Sequence, residues 1–144
     1  MRGEPFRILL VEDNRADVYL MQKAMEDAGV KFELTVIEDG GSALEFVRGN
    51  GQYGGRAIPH LAVIDLSLPK TDGIQVLEAI RATERFAGMR VIVMSSSAVP
   101  DPRLKEEHLQ VTRYIPKPLD LDEFLGIGAA IRGLLEGYAS DSEQ

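Results

Sequence analysis

The sequence predicts an α/β fold: a doubly wound sheet of five parallel strands, with helices on both faces. Short, nearly unbroken apolar runs recur along the chain, as strands buried on both faces require. Between them lie segments whose apolar residues repeat at helical spacing, which makes a βαβ pattern. A third observation concerns the strand ends. In LAVIDLSLPKTDG, Leu61 to Gly73, the apolar run stops on a carboxylate, Asp65, before a proline and a glycine turn the chain.

The elements follow in order. FRILLV, Phe6–Val11, is the first strand. Asn14–Ala28 places Val18, Met21, Ala24 and Met25 on one helix face, and Gly29 stops it. ELTVIE, Glu33–Glu38, alternates more and suits a strand nearer an edge. Gly41–Arg48 carries Ala43, Leu44 and Val47 at helical spacing. A glycine-rich loop, Asn50–Pro59, leads into HLAVID, His60–Asp65. The next helix, Asp72–Arg85, carries Ile74, Val76, Leu77 and Ile80, and RVIVMS, Arg90–Ser95, is the fourth strand. Asp101–Gln110 reads as a mostly polar helix whose start is marked by Pro100 and Pro102. RYIP, Arg113–Pro116, is the fifth strand. The last helix, Asp120–Tyr138, carries Leu121, Phe124, Leu125, Ile131, Leu134 and Leu135. Five such pairs suggest flavodoxin-like order, 2-1-3-4-5, in which ligands bind at the carboxyl ends of the strands. Residues 1–138 form one domain and 139–144 a flexible tail.

Bulk properties narrow the function. A chain of 144 residues favours one domain with a real core. Its net charge of −7 argues against direct nucleic-acid binding, which needs a basic face. There is no cysteine, which excludes thiolate metal sites and a disulfide scaffold and fits a reducing compartment. The first apolar run is too short to span a membrane and lacks a small-residue cleavage site. A cytoplasmic protein without membrane contact is expected.

In a parallel sheet the strand ends share one edge. The first strand ends in Glu12-Asp13, the third in Asp65, the fourth in Ser95-Ser96-Ser97 and the fifth in Lys117-Pro118. Three carboxylates together repel and favour a cation at neutral pH. Their hard oxygens suit Mg²⁺, which takes one or two carboxylates, several waters and phosphate oxygens. A lysine and a hydroxyl opposite can bind an anion. Such a site fits a phosphoryl group, with one carboxylate as nucleophile.

The acid pair in LLVEDN, the acid in VIDLSLPKTDG, the hydroxyl in VIVMSSS and the lysine in YIPKP resemble the receiver domain of two-component response regulators. The resemblance spans Phe6 to Tyr138, and the Asp65–Ser95 and Asp65–Lys117 separations match it. It implies that Asp65 accepts phosphate from a histidine kinase and that Glu12, Asp13, Asp65 and the Ser67 carbonyl hold Mg²⁺. It also implies that Lys117 pairs with the phosphoryl oxygens, that Ser95 and Tyr114 move on activation, and that the Lys117–Pro118 bond is cis. Spacing favours Ser95 over Ser96. The long loop, HLQVTRY and the absence of an output domain resemble the small regulators paired with phytochrome kinases. Most receivers carry glycine-alanine where this chain has Gln110-Val111.

Each site residue has a plainer reading. Acids at a helix start are favoured by its dipole, Asp65 could cap the turn that follows, and Tyr114 could be plain core. His60 and His108 have no metal-ligand partners at useful spacing. GIGAAI, Gly126–Ile131, lies inside a helix and is no dinucleotide fingerprint. Gly126, Gly128, Gly133 and Gly137 each cost the last helix about 1 kcal/mol relative to alanine. Either that helix is weak or another backbone approaches it, as in a homodimer. Such a dimer would use the fourth helix, fifth strand and fifth helix, with Ile127 and Tyr138 reaching the second surface. A phosphohydrolase with an aspartyl-phosphate intermediate is the alternative, but it usually needs a second acid two residues on, where Ser67 stands. A degenerate receiver that only binds is a third reading, opposed by the intact acids and lysine. The expectation is a switch rather than an enzyme.

Overall fold

A computed structural model describes residues 4–49, 55, 57–67, 73–86, 88–97 and 99–143, the residues from 138 onward as backbone alone. The strands are β1 (Phe6–Val11), β2 (Phe32–Ile37), β3 (Leu61–Asp65), β4 (Arg90–Ser95) and β5 (Arg113–Pro116). The helices are α1 (Arg15–Asp27), α2 (Gly40–Arg48), α3 (Gly73–Ala82) and α4 (Leu121–Glu143). All strands are parallel and their order is β2-β1-β3-β4-β5. Most of the glycine-rich loop and the start of the helix expected from Asp72 lie outside the described residues.

Side-chain alternation along the strands builds two cores. Leu9, Val11, Ala62, Ile64, Val91 and Val93 face α2 and α3. Ile8, Leu10, Leu61, Val63, Ile92 and Met94 face α1 and α4. Every residue of β3 is buried, as its position at the centre of the sheet requires. Each fully buried isoleucine or leucine contributes about 1.5–3 kcal/mol.

Three expectations about elements change. Asp101–Gln110 is not an α-helix but two 3-10 turns, Pro102–Lys105 and Glu107–Leu109, divided by extended Glu106 (φ −65°, ψ 127°). Its apolar anchors are Leu109, fully buried, and Leu104, half-buried, too few for a helical stripe. The last helix runs to Glu143, through the segment expected as a tail, because nothing after Gly137 breaks a helix. Ile127, expected to reach a second surface, is buried in the core beside Phe124 and Ile131.

Gly128 explains part of the glycine content of α4. A Cβ there would lie 2.0 Å from the Ala24 carbonyl oxygen and 2.6 Å from its carbon. The two helices therefore touch backbone to backbone, within one chain. At Gly126 and Gly133 an added Cβ would meet nothing within 4 Å.

Candidate functional site: an acidic pocket at the strand ends

Register brings the predicted residues to one edge. Val11 pairs with Ile64 and Ser95 with Pro116, so Glu12 and Lys117 each stand one step past a paired residue. The edge is closed by backbone bonds from Glu12 N to Ile37 O (2.9 Å), Leu66 N to Met94 O (2.9 Å) and Lys117 N to Ser95 O (2.8 Å). By strand alternation Glu12, Asp65 and Lys117 share the α1–α4 side of the sheet.

Glu12 and Asp65 are buried, at 4% and 3% exposure, while Asp13 is exposed. Asp65 Oδ1 accepts from the Ser67 N–H (2.8 Å), and its Oδ2 lies 3.0 Å from Lys117 Nζ. That ammonium also reaches Glu12 Oε1 (2.9 Å) and Asp17 Oδ2 (2.9 Å). Glu12 Oε2 accepts from the Asn14 N–H (3.2 Å). Burial pushes the Glu12 carboxyl up to about 7. Lys117 pulls against that rise, the Asp65 charge adds to it, and the Asn14 N–H opposes it. Burial works against the Lys117 ammonium, but its bonds to Asp17, Glu12 and Asp65 outweigh burial and raise its pKa.

Gly73 sets how closely α3 approaches this edge. A Cβ there would stand 2.8 Å from Leu66 Cα and 2.9 Å from the Asp65 carbonyl oxygen, so the helix start packs directly on the strand exit.

Ser95 and Tyr114 form a second group. Ser95, buried at 8% exposure, accepts from the Ser97 N–H (3.1 Å), and the Tyr114 hydroxyl donates to the Ser97 carbonyl (2.7 Å). Both hold the exit from β4. Ser67 contributes its N–H to Asp65. The Lys117–Pro118 bond, expected cis, is trans: the described residues contain no cis peptide. Trans is the intrinsically favoured isomer, and the long lysine stem reaches Asp65 without the alternative. His60 is a pin, accepting the Arg7 N–H on Nδ1 (2.9 Å) and meeting Phe6 edge-on.

Sequence reading missed Asp17. It lies four residues before Met21 and seven before Ala24, both buried, so it extends the sheet-facing stripe of α1 by one turn. An acid on an apolar stripe was the available signal.

Oxygens of Glu12, Asp13 and Asp65 lie within 4.8 Å of one another. With Asp17 nearby, four carboxylates gather at this edge, and three of them, Glu12, Asp17 and Asp65, contact the one ammonium. Hard oxygens and excess negative charge fit Mg²⁺. No described helix is long and apolar enough to cross a membrane.

Comparisons with known proteins agree with this geometry. The chain is 37% identical over 120 residues to the probable methanogenesis regulatory protein FilR2 of Methanothrix harundinacea, covering 83% of this chain and 77% of that protein. It is 34% identical over 119 residues to the response regulator Rcp1 of Synechocystis, covering 83% and 81%. The crystal structure of the phosphorylated cyanobacterial phytochrome response regulator RcpA superposes with a TM-score of 0.80 at 34% identity, covering 89% of this chain and 91% of that one. The response regulator receiver domain pattern itself matches residues 8–127. With its fold order and its acid–lysine edge, the chain belongs to the response regulator receiver family.

Proposed function

We propose that Asp65 is the phosphoacceptor of this receiver and that a sensor histidine kinase supplies the phosphoryl group. The observation that carries this is the setting of Asp65: buried at the end of β3, one oxygen on the Ser67 N–H and the other on Lys117, beside Glu12 and Asp13. An Asp65 oxygen attacks the phosphorus of a phosphohistidine, the P–N bond breaks, and the imidazole leaves with the electron pair. Lys117 offsets charge on the transferring oxygens. Glu12, Asp13, Asp65 and the Ser67 carbonyl would hold Mg²⁺, which supplies positive charge against the phosphoryl group. A Mn²⁺-bound form of Rcp1, 32% identical to this chain with a TM-score of 0.79, supports a divalent site. The added charge then draws on Ser95 and Tyr114 at the β4 exit and alters partner binding.

The same reading places residues 1–138 as one receiver unit in the cytoplasm, acting as a switch rather than an enzyme, without nucleic-acid or membrane contact. The likeness to Rcp1 and RcpA supports a phytochrome-type kinase as donor. A homodimer through β5, α4 and the turns before β5 is supported by three exposed apolar side chains there, Val99 (75%), Leu119 (98%) and Leu121 (54%). Sedimentation with and without beryllofluoride tests the dimer, and a monomer in both conditions refutes it.

Incubation with acetyl phosphate and Mg²⁺, followed by intact mass, tests the central reading. The wild type gains the mass of one phosphoryl group and Asp65→Asn gains none. An adduct on Asp65→Asn at the wild-type rate places the acceptor elsewhere.

A further inference from the structure

The Lys117 ammonium has three N–H donors and three carboxylate neighbours, Glu12, Asp17 and Asp65, at 2.9, 2.9 and 3.0 Å. Those neighbours are not equivalent. Glu12 and Asp65 also belong, with Asp13, to the group of oxygens close enough to share one cation. Asp17 stands outside that group and comes from a different element, the first turn of α1.

A divalent cation and an ammonium compete for the same oxygens. When a cation draws on Glu12 and Asp65, Lys117 must loosen from both. A buried ammonium left without a partner is costly, and this side chain is only 17% exposed. Asp17 is the carboxylate that can keep it company without serving the cation.

Asp17 is well fixed for that purpose. Its own N–H donates to the Asn14 side-chain oxygen (3.2 Å), and Asn14 also caps Ala16 (2.9 Å). Its side chain is 22% exposed and lies on the stripe of α1 that faces the sheet. A carboxylate placed merely to favour the helix dipole needs only the first turn. It does not need the sheet-facing stripe or an ammonium at contact distance.

We infer that Asp17 is a positioning residue for Lys117. It holds the ammonium beside the pocket while Glu12 and Asp65 are engaged by the cation, and keeps it within reach of the group that Asp65 receives. The inference rests on the phosphoryl-switch reading and deepens it.

A double-mutant cycle read by Mg²⁺ titration separates this role from a plain charge effect. The proteins are wild type, Asp17→Asn, Lys117→Met and the double variant, with Mg²⁺ alone as the probe. Asparagine keeps the size of Asp17 and leaves its backbone bond to Asn14 in place. Asp17→Asn should weaken Mg²⁺ binding about three- to tenfold when Lys117 is present, and by less than about twofold when residue 117 is methionine. Asp17→Glu should restore part of the loss. Equal losses in both backgrounds would show that Asp17 acts as a through-space charge or as a ligand, and would overturn the inference. An unchanged affinity in Asp17→Asn would overturn it as well. Both outcomes leave the switch reading intact as long as the wild type binds Mg²⁺ and gains the phosphoryl mass. A wild type that does neither overturns the two together.

Discussion

After β1 the chain passes through Asn14 into a helix of 13 residues, whose Met21 and Met25 are buried in the core with the sheet and whose Ala24 meets α4. After β4 it makes two 3-10 turns and enters β5 by way of Gln110, the one described non-glycine residue with positive φ (46°). Both segments leave the same edge and both border the pocket. The first is held by packing: α1 lies against α4 so closely that only glycine fits at 128. The second is held by a side chain. Arg81, at the end of α3, donates to the carbonyls of Met89 (2.6 Å), Leu109 (2.7 Å) and Gln110 (2.7 Å). One half of the site, with Glu12, Asp17 and Asp65, is thus fixed by packing, and the other is a connection pinned at few points that joins Ser95 at the end of β4 to Tyr114 in β5. Segments that move in switching come from the less stable end of a structure.

The strongest way to break the fixed half is Gly128→Ala. The new methyl would overlap the Ala24 backbone, and no flexible side chain is there to give way. Separating α1 from α4 should cost about 3 kcal/mol, measured by urea unfolding, and should weaken Mg²⁺ binding through Glu12 and Asp17. Gly133→Ala is the control on the outer face of the same helix. Its methyl meets nothing, so stability should rise by up to about 1 kcal/mol. If both variants behaved alike, the backbone contact would not be what glycine serves at 128.

Arg81→Met tests the pinned half. Burial lowers the Arg81 pKa, yet a guanidinium stays charged and forms charge-assisted bonds. Losing them should cost about 2 kcal/mol. Amide exchange should quicken around Leu104–Thr112 more than in α1. Uniform quickening across the chain would mean that Arg81 supports the whole fold rather than this connection.

These halves also differ in how far the sequence revealed them. β1, β4 and β5 run as their apolar stretches indicate, because each is bounded by charged or turn residues. β2 starts one residue earlier than expected, at Phe32, because it pairs along its full length with β1. The acids and the lysine were legible because a parallel sheet puts every strand end on one edge. Asp17 was overlooked although it lies on the apolar stripe of α1, because an acid in a first turn is already explained by the helix dipole and its contact with Lys117 joins residues 100 apart in the chain. The turns after β4 were not legible: two prolines announce a helix start, but Leu104 and Leu109 cannot sustain one, and Arg81 comes from a distant part of the chain.

Another test of the fixed half is its response to pH. The Glu12 carboxyl is raised from 4.5 to about 7 by burial, with Lys117 offsetting part of the rise. Below pH 4.5 it is protonated both folded and unfolded, and its favourable contribution is complete. Between 4.5 and about 7 the folded chain keeps a proton that the unfolded chain has released, so stability falls as pH rises. Above about 7 that loss is complete. In Mg²⁺-free buffer Glu12→Gln should therefore gain on the wild type through this window and hold a constant difference above it. Parallel stability curves would show that Lys117 cancels the burial effect.

The smallest expected effect sharpens the pinned half. Gln110 adopts φ 46° and ψ 52°, the left-handed conformation that costs a side-chain-bearing residue about 1–2 kcal/mol and glycine almost nothing. Most receivers carry glycine-alanine here, and this backbone gives the physical reason. Gln110→Gly removes the steric cost but frees the unfolded chain, which takes back about 0.5–1 kcal/mol. The Gln110 carbonyl that Arg81 binds is untouched. A net gain of about 0.5 kcal/mol is expected, seen as a higher urea midpoint with an unchanged slope. The sign matters more than the size. A gain would mean that this connection carries strain which the Arg81 bonds hold in place, so combining Gln110→Gly with Arg81→Met should recover part of what Arg81→Met loses. A loss of stability would mean that the glutamine side chain contributes more than its conformation costs, and the turn would then owe its shape to residue 110 itself rather than to the guanidinium beneath it.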